Sequence, residues 1–99
     1  MRACRIDKNQ PEIVECFRTL GFSVLHIHTL KNCADLIISR AGRTAVIEIK
    51  DGSKPKSAQK LTTGELKFKN EWQGEYHIVT SVEEAIDISL EWKKRIYVC

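Results

Sequence analysis

The chain is 99 residues long, 42% hydrophobic and 29% charged, with a net charge of +3 and a sequence pI near 8.7. That length suits one small domain, 1–99, burying about 60–65% of its unfolded surface. No apolar run approaches the roughly 20 residues of a membrane span, and Met1-Arg2-Ala3-Cys4-Arg5 lacks the apolar core of a signal peptide, so a non-membrane, cytoplasmic protein is expected.

Residues 9–20 read as a helix, with Ile13, Val14, Phe17 and Leu20 at helical spacing. Asn9 suits its N-cap, Pro11 its first turn, and Gly21 its stop. Phe22–Thr29 alternates and is rich in β-formers, so a strand is predicted. Asp35–Arg40 is a second predicted strand, Ala41-Gly42-Arg43 a tight turn, and Thr44–Lys50 a third strand. Asp51 to Ser57 is polar and has turn chemistry.

Thr62-x-x-Glu65 is a capping box that opens a second helix through about Trp72. Tyr76–Thr80 is a fourth predicted strand. Ser81-x-x-Glu84 opens a third helix, with Val82, Ala85, Ile86 and Leu90 on one face and Lys93, Lys94 and Arg95 near its end. Ile96–Cys99 is expected to be an extended tail. The order α-β-β-β-α-β-α implies a mixed four-stranded α/β sheet flanked by helices: a meander, then a parallel fourth strand reached by a right-handed crossover.

The four cysteines form no CxxC pair and no zinc-knuckle spacing, so free thiols are expected. His26 and His28 share one strand face, but no third ligand completes a zinc site. Mild basicity permits nucleic-acid binding without requiring it.

Glu48 and Lys50 lie two apart on a strand otherwise rich in Val and Ile, so both point to one face. Charged residues in an apolar strand are a local conflict of the kind that marks function. Asp35 opens the preceding strand and can lie across from them. Converging carboxylates suit Mg²⁺ or Mn²⁺, and the Ile49 carbonyl offers a further oxygen. The plainer alternative is a solvated pair on an edge strand. Asp35 shares the face of Glu48 only if facing residues of this hairpin have an odd number sum. That requires an even loop, such as Gly42-Arg43 in a type II′ turn, or a bulge.

Together, Arg5-x-Asp7-x-Asn9-Gln10, Asp35-Leu36-Ile37-Ile38, Ile47-Glu48-Ile49-Lys50-Asp51-Gly52 and Leu61-Thr62-Thr63-Gly64-Glu65 resemble the PD-(D/E)XK nuclease superfamily. Within it they resemble the small stand-alone VRR-NUC domains of phage and prophage type, which are Holliday-junction-resolvase-like. Ala34 stands where the motif's name has proline. The resemblance implies a restriction-endonuclease-like core and Mg²⁺- or Mn²⁺-dependent DNA cleavage, favouring branched DNA such as Holliday junctions, by a homodimer. Asp35 and Glu48 would be the metal-binding acids and Lys50 the catalytic lysine. Many members add an acid from the first helix; Glu12 is favoured here over Glu15.

Arg40, Arg43, Lys54, Lys56, Gln59 and Lys60 are candidate DNA contacts around this cluster. Glu65 is explained by capping alone. Trp72 and Trp92 suit core or interface anchors, and the third helix with Trp92 and the tail Ile96-Tyr97-Val98 are the candidate dimer contacts. The alternatives to an endonuclease are a nucleic-acid-binding module that keeps this fold without turnover, and an interaction protein using an exposed strand edge.

Overall fold

The computed structural model describes residues 7–97, with side chains described through residue 93. The elements in order are α1 (Gln10–Thr19), β1 (Ser23–His26), β2 (Leu36–Arg40), β3 (Arg43–Ile49), a 3-10 turn (Lys56–Gln59), α2 (Thr63–Glu71), β4 (Glu75–Val79) and α3 (Val82–Tyr97). The sheet order is β1-β2-β3-β4; the first two pairings are antiparallel and β3–β4 is parallel. This is the predicted mixed sheet. β3 is therefore interior, and the reading of Glu48 and Lys50 as a solvated edge pair falls.

Alternation sends the two faces of the sheet into different cores. Leu36, Ile38, Ala45, Ile47, Ile49 and Val79 pack with Ile13, Val14 and Phe17 of α1 and Ala85 and Trp92 of α3. On the other face Val46, Ile37 and Tyr76 gather with Ile27, Ala34, Cys33 and Phe68 of α2. Helices thus cover both faces, as a parallel crossover requires. Burying each large apolar side chain contributes about 1.5–3 kcal/mol.

α1 closes in a Schellman arrangement: Phe22 N–H donates to Phe17 O and Gly21 N–H to Arg18 O, both at 3.0 Å, with Gly21 at φ +94°. α2 has its capping box complete on Thr62 and Glu65. The third helix departs from expectation in two ways. Its core stripe is Val82, Ala85, Ser89 and Trp92, whereas Ile86 and Leu90 are 40% and 54% exposed. It also runs through Ile96 and Tyr97, which were expected to be extended; Val98 and Cys99 lie outside the described residues.

Trp92 belongs to the chain's own core rather than to an interface. Its ring meets Phe22 edge-on at 5.0 Å, and its Nε1–H donates to Arg40 O at 2.9 Å. Trp72 is half-exposed and stacks on Phe68. Cys16 and Cys33 are free thiols; Cys4 and Cys99 lie outside the described residues. Among the described residues no helix is long and apolar enough to cross a membrane.

Candidate metal centre

The hairpin that sets the site turns on Ala41-Gly42, not Gly42-Arg43. Both turn residues have positive φ, 55° and 79°, the signature of a type I′ turn rather than II′. The loop is still two residues long, and Arg40 faces Arg43 while Leu36 faces Ile47. Facing numbers therefore sum to an odd value. Continuing that register places Asp35 opposite Glu48, on the α2 side of the sheet.

The ladder ends irregularly there. Asp35 N–H donates to Ile47 O at 3.0 Å, one residue out of step with the Leu36–Ile47 pair. Ile49 N–H, which a continued ladder would aim at Ala34, donates instead to Asp35 Oδ2 at 2.7 Å. Asp35 thus stands in for a strand carbonyl. A residue's N–H and C=O point to the same side of its strand, so the Ile49 carbonyl also faces the Asp35 side.

Glu48 is only 3% exposed. Burial, then the charges of Asp35 and Glu65, push its carboxyl up to about 8. Burial also raises Asp35, despite the opposing Ile49 N–H, and Asp7 and Glu65 add to the rise. Lys50 Nζ lies 3.0 Å from Glu65 Oε1 and 3.4 Å from Glu48 Oε2. Burial works against its charge, but the Glu65 hydrogen bond and the Glu48 charge prevail and raise its pKa. Glu65, partly buried, is held below its ordinary value by the Thr62 N–H and Lys50.

Three contributors lie outside the sequence-level set. Glu65 is one, since it binds the lysine as well as capping α2. The second is Asp7, raised by burial and sensing Lys50, Lys54, Asp51 and Glu65. Asn9 brings it there. Asn9 sits at the N-cap of α1 but makes no side-chain cap bond; its amide donates to Lys50 O at 3.1 Å and Thr80 O at 3.0 Å, stapling the start of α1 to the ends of β3 and β4. The third is Tyr76, whose buried hydroxyl has no hydrogen-bond partner among the described residues. Burial raises its pKa, helped by Glu48, Glu65 and Asp35. Asp7 falls within the Arg5-to-Gln10 stretch and was legible there; Tyr76 and the Lys50–Glu65 contact required the packing of α2.

Glu12, favoured as the first-helix acid, is exposed and lines a separate cleft with Lys8, Asp51, Ser53 and Glu83. The acid from this end of the chain whose charge bears on Asp35 is Asp7, and Glu15 is exposed as well. Arg40 and Arg43 also leave the cluster, being on the α3 face. Arg40 donates to Leu20 O, Ser89 Oγ and Ser89 O and lies over Phe22. Arg43 pairs through two nitrogens with Glu75, at 2.8 and 2.6 Å, and lies 4.0 Å over Trp92. Both brace the sheet against its surroundings.

Lys54, Lys56 and Lys60 are exposed on the loop after β3, and Lys54 stands near enough to Asp7 to lower it. Gln59 donates its amide to Lys54 O at 2.7 Å, fixing that loop's shape.

Asp7, Asp35, Glu48 and Glu65 act on one region against Lys50 and, at the rim, Lys54. Carboxylates crowded this way shift toward the neutral form unless a cation joins them. All the donors are hard oxygens, which fits Mg²⁺ or Mn²⁺. Among the described residues no three His, Cys, Asp or Glu groups already stand at metal-ligating spacing.

Comparison with known proteins finds no matching family model, no matching curated protein and no matching solved structure.

Proposed function

We propose that the protein is a divalent-metal-dependent DNA endonuclease, selective for branched DNA such as Holliday junctions, with a restriction-endonuclease-like core. The observation that carries this reading is the crowding of carboxylates around the buried Glu48: Asp35, held on the Ile49 N–H, and Glu65 both bear on its charge, and Lys50 Nζ lies 3.4 Å from its Oε2.

Asp35 and Glu48 would hold the cation, with the Ile49 carbonyl as third oxygen. Bound there, Mg²⁺ or Mn²⁺ supplies Lewis acidity toward a phosphate oxygen and lowers the pKa of a water. Lys50 presents an ammonium, kept charged by Glu65 and Glu48, to the negative charge that develops on the phosphate. Asp35 is oriented by the Ile49 N–H, so its second oxygen remains free to bind. Glu65 acts through Lys50, and Asn9 holds the Lys50 carbonyl. Lys54, Lys56 and Lys60 line the approach and suit phosphate contacts.

A four-way junction is two-fold symmetric and needs paired cuts, so the reading includes a homodimer. With Trp92 in the core, the exposed Ile86 and Leu90 of α3 are apolar contacts this helix offers it.

Incubating the protein with single-stranded, duplex, flap and four-way-junction DNA, with Mg²⁺ and with Mn²⁺, tests the reading. Metal-dependent cutting, strongest on the junction and lost in Glu48→Ala, is expected. Undiminished cutting by Glu48→Ala would remove the assignment. Junction binding without cutting in either metal would leave a binding module. Sedimentation at micromolar concentration tests the dimer: a mass near 11.3 kDa with coordinated junction cleavage would show that it is unnecessary.

A further inference from the structure

A cavity of about 290 Å³ lies between α1 and the end of β1, lined by Gln10, Val14, Glu15, Arg18, His26 and His28. Asp35, Glu48 and Lys50 do not line it. Gln10, Val14 and Arg18 recur every four residues, so one stripe of α1 forms a wall.

Gln10 is 1% exposed, yet neither its amide oxygen nor its amide nitrogen has a hydrogen-bond partner among the described residues. His28 Nδ1 is buried and unpartnered in the same sense. Buried polar groups are costly to leave unpaired and normally find partners. Two in one cavity point to a ligand that supplies the missing partners. Among the described residues no group of three ligating side chains includes the histidines.

The lining chemistry narrows the class. A glutamine amide offers an acceptor and a donor side by side, the complement of the adenine N6/N7 edge. The His26 and His28 rings, edge to face at 5.8 Å, supply aromatic surface against which a base can lie. Arg18 is exposed at the mouth and suits one phosphate. Glu15 is exposed there too and disfavours a run of phosphates, so a single base reaching in fits better than a duplex lying across. The cavity also adjoins the acid cluster through the backbone: Ile27, between the two histidines, donates its N–H to Asp35 O at 2.9 Å.

We infer that this cavity takes one unpaired adenine, its edge on Gln10 and its face on the His26 ring. The inference rests on the nucleic-acid reading of the acid cluster, and it makes an extruded or unpaired nucleotide part of what the protein recognises.

The test is fluorescence anisotropy in the Glu48→Gln background, which removes cleavage. Two labelled duplexes are compared, identical except that one carries a single unpaired adenine and the other an abasic residue at that position. About tenfold tighter binding to the adenine duplex is expected. Gln10→Leu and His26→Ala should each reduce adenine binding to the abasic level and leave abasic binding unchanged. His26 is exposed, so its variant keeps the test alive should Gln10→Leu fail to fold. Equal affinity for the two duplexes, or parallel loss on both in His26→Ala, would overturn the base site and leave the DNA reading standing. Absence of binding to either duplex would remove both.

Discussion

A single carboxylate oxygen of Glu65 accepts from both Lys50 Nζ, at 3.0 Å, and Thr62 N–H, at 2.9 Å. The start of α2 and the lysine of the candidate site therefore share one atom. Glutamine serves equally well at this capping position, so Glu65→Gln separates the two roles. It should leave stability nearly unchanged and slow single-turnover cleavage about tenfold, with little change in KM. Glu65→Ala should also lose about 1 kcal/mol of stability, read by urea unfolding. Equal rates for Glu65→Gln and the unaltered protein would restrict Glu65 to capping.

Removing the central groups should sort them by role. Asp35→Ala, Glu48→Ala and Lys50→Ala should each lower cleavage at least about a hundredfold. The two acid changes should weaken metal binding, measured by calorimetry, and Lys50→Ala should spare it. Asp35→Ala also orphans the Ile49 N–H, at about 1–3 kcal/mol. Asp35→Asn keeps an acceptor there and is the cleaner variant. Metal affinity unchanged in Asp35→Asn would exclude that carboxylate as a ligand.

Metal-free protein should lose stability as pH rises. Glu48 ionises at an ordinary value of 4.5 when unfolded and at about 8 in the fold. Between those values the folded state holds a proton that the unfolded state lacks. Each pH unit of increase then removes up to about 1.4 kcal/mol; the loss begins near 4.5 and levels off above 8. Adding Mg²⁺ or Mn²⁺ should raise the melting temperature more at pH 8 than at pH 5, because the cation favours the ionised acid. Melting that is flat from pH 5 to 8 and indifferent to metal would show that Glu48 is not held protonated by burial and its acidic neighbours.

Arginines and lysines should part company in binding assays. Arg43→Ala should cost about 1–3 kcal/mol of stability, because it breaks a two-bond pair with Glu75 and uncovers Trp92, and should leave DNA affinity unchanged. Lys54→Ala and Lys56→Ala should weaken DNA binding and flatten its salt dependence, with stability unmoved. DNA affinity falling in a well-folded Arg43→Ala protein would return that residue to the interface.

Ala41 occupies the left-handed region at φ 55° without glycine's freedom. Ala41→Gly should therefore stabilise the hairpin by roughly 0.5–1 kcal/mol, seen as a higher denaturant midpoint with cleavage unaltered. A lower midpoint would show that the turn tolerates alanine without strain.

Much of this protein was legible before any packing was known, because the relevant signals are local. Helical spacing at Ile13, Val14 and Phe17, the Thr62–Glu65 capping box and the β-rich runs are short-range patterns, and they placed the elements to within a few residues. Period-two alternation put Glu48 and Lys50 on one face, and the parity of the hairpin carried Asp35 to the same side. Errors arose where competing local signals needed a tertiary arbiter. Ile86 and Leu90 match the helical period as well as Ser89 and Trp92 do, and only the position of the sheet decides which stripe is buried.

Long-range contact decided the rest. Whether Glu48 is solvated or buried depends on β3 being interior, which strand order determines and local pattern does not. Asp7 rather than Glu12 joins the cluster because the Asn9 amide spans to the ends of β3 and β4, a contact across 41 and 71 positions of chain. Arg40 and Arg43 read as free cations until α3 folds over them and offers Ser89 and Trp92. Residue type and spacing determine which groups are available for chemistry, while charge balance and burial, which follow from packing at a distance, decide which of them act together.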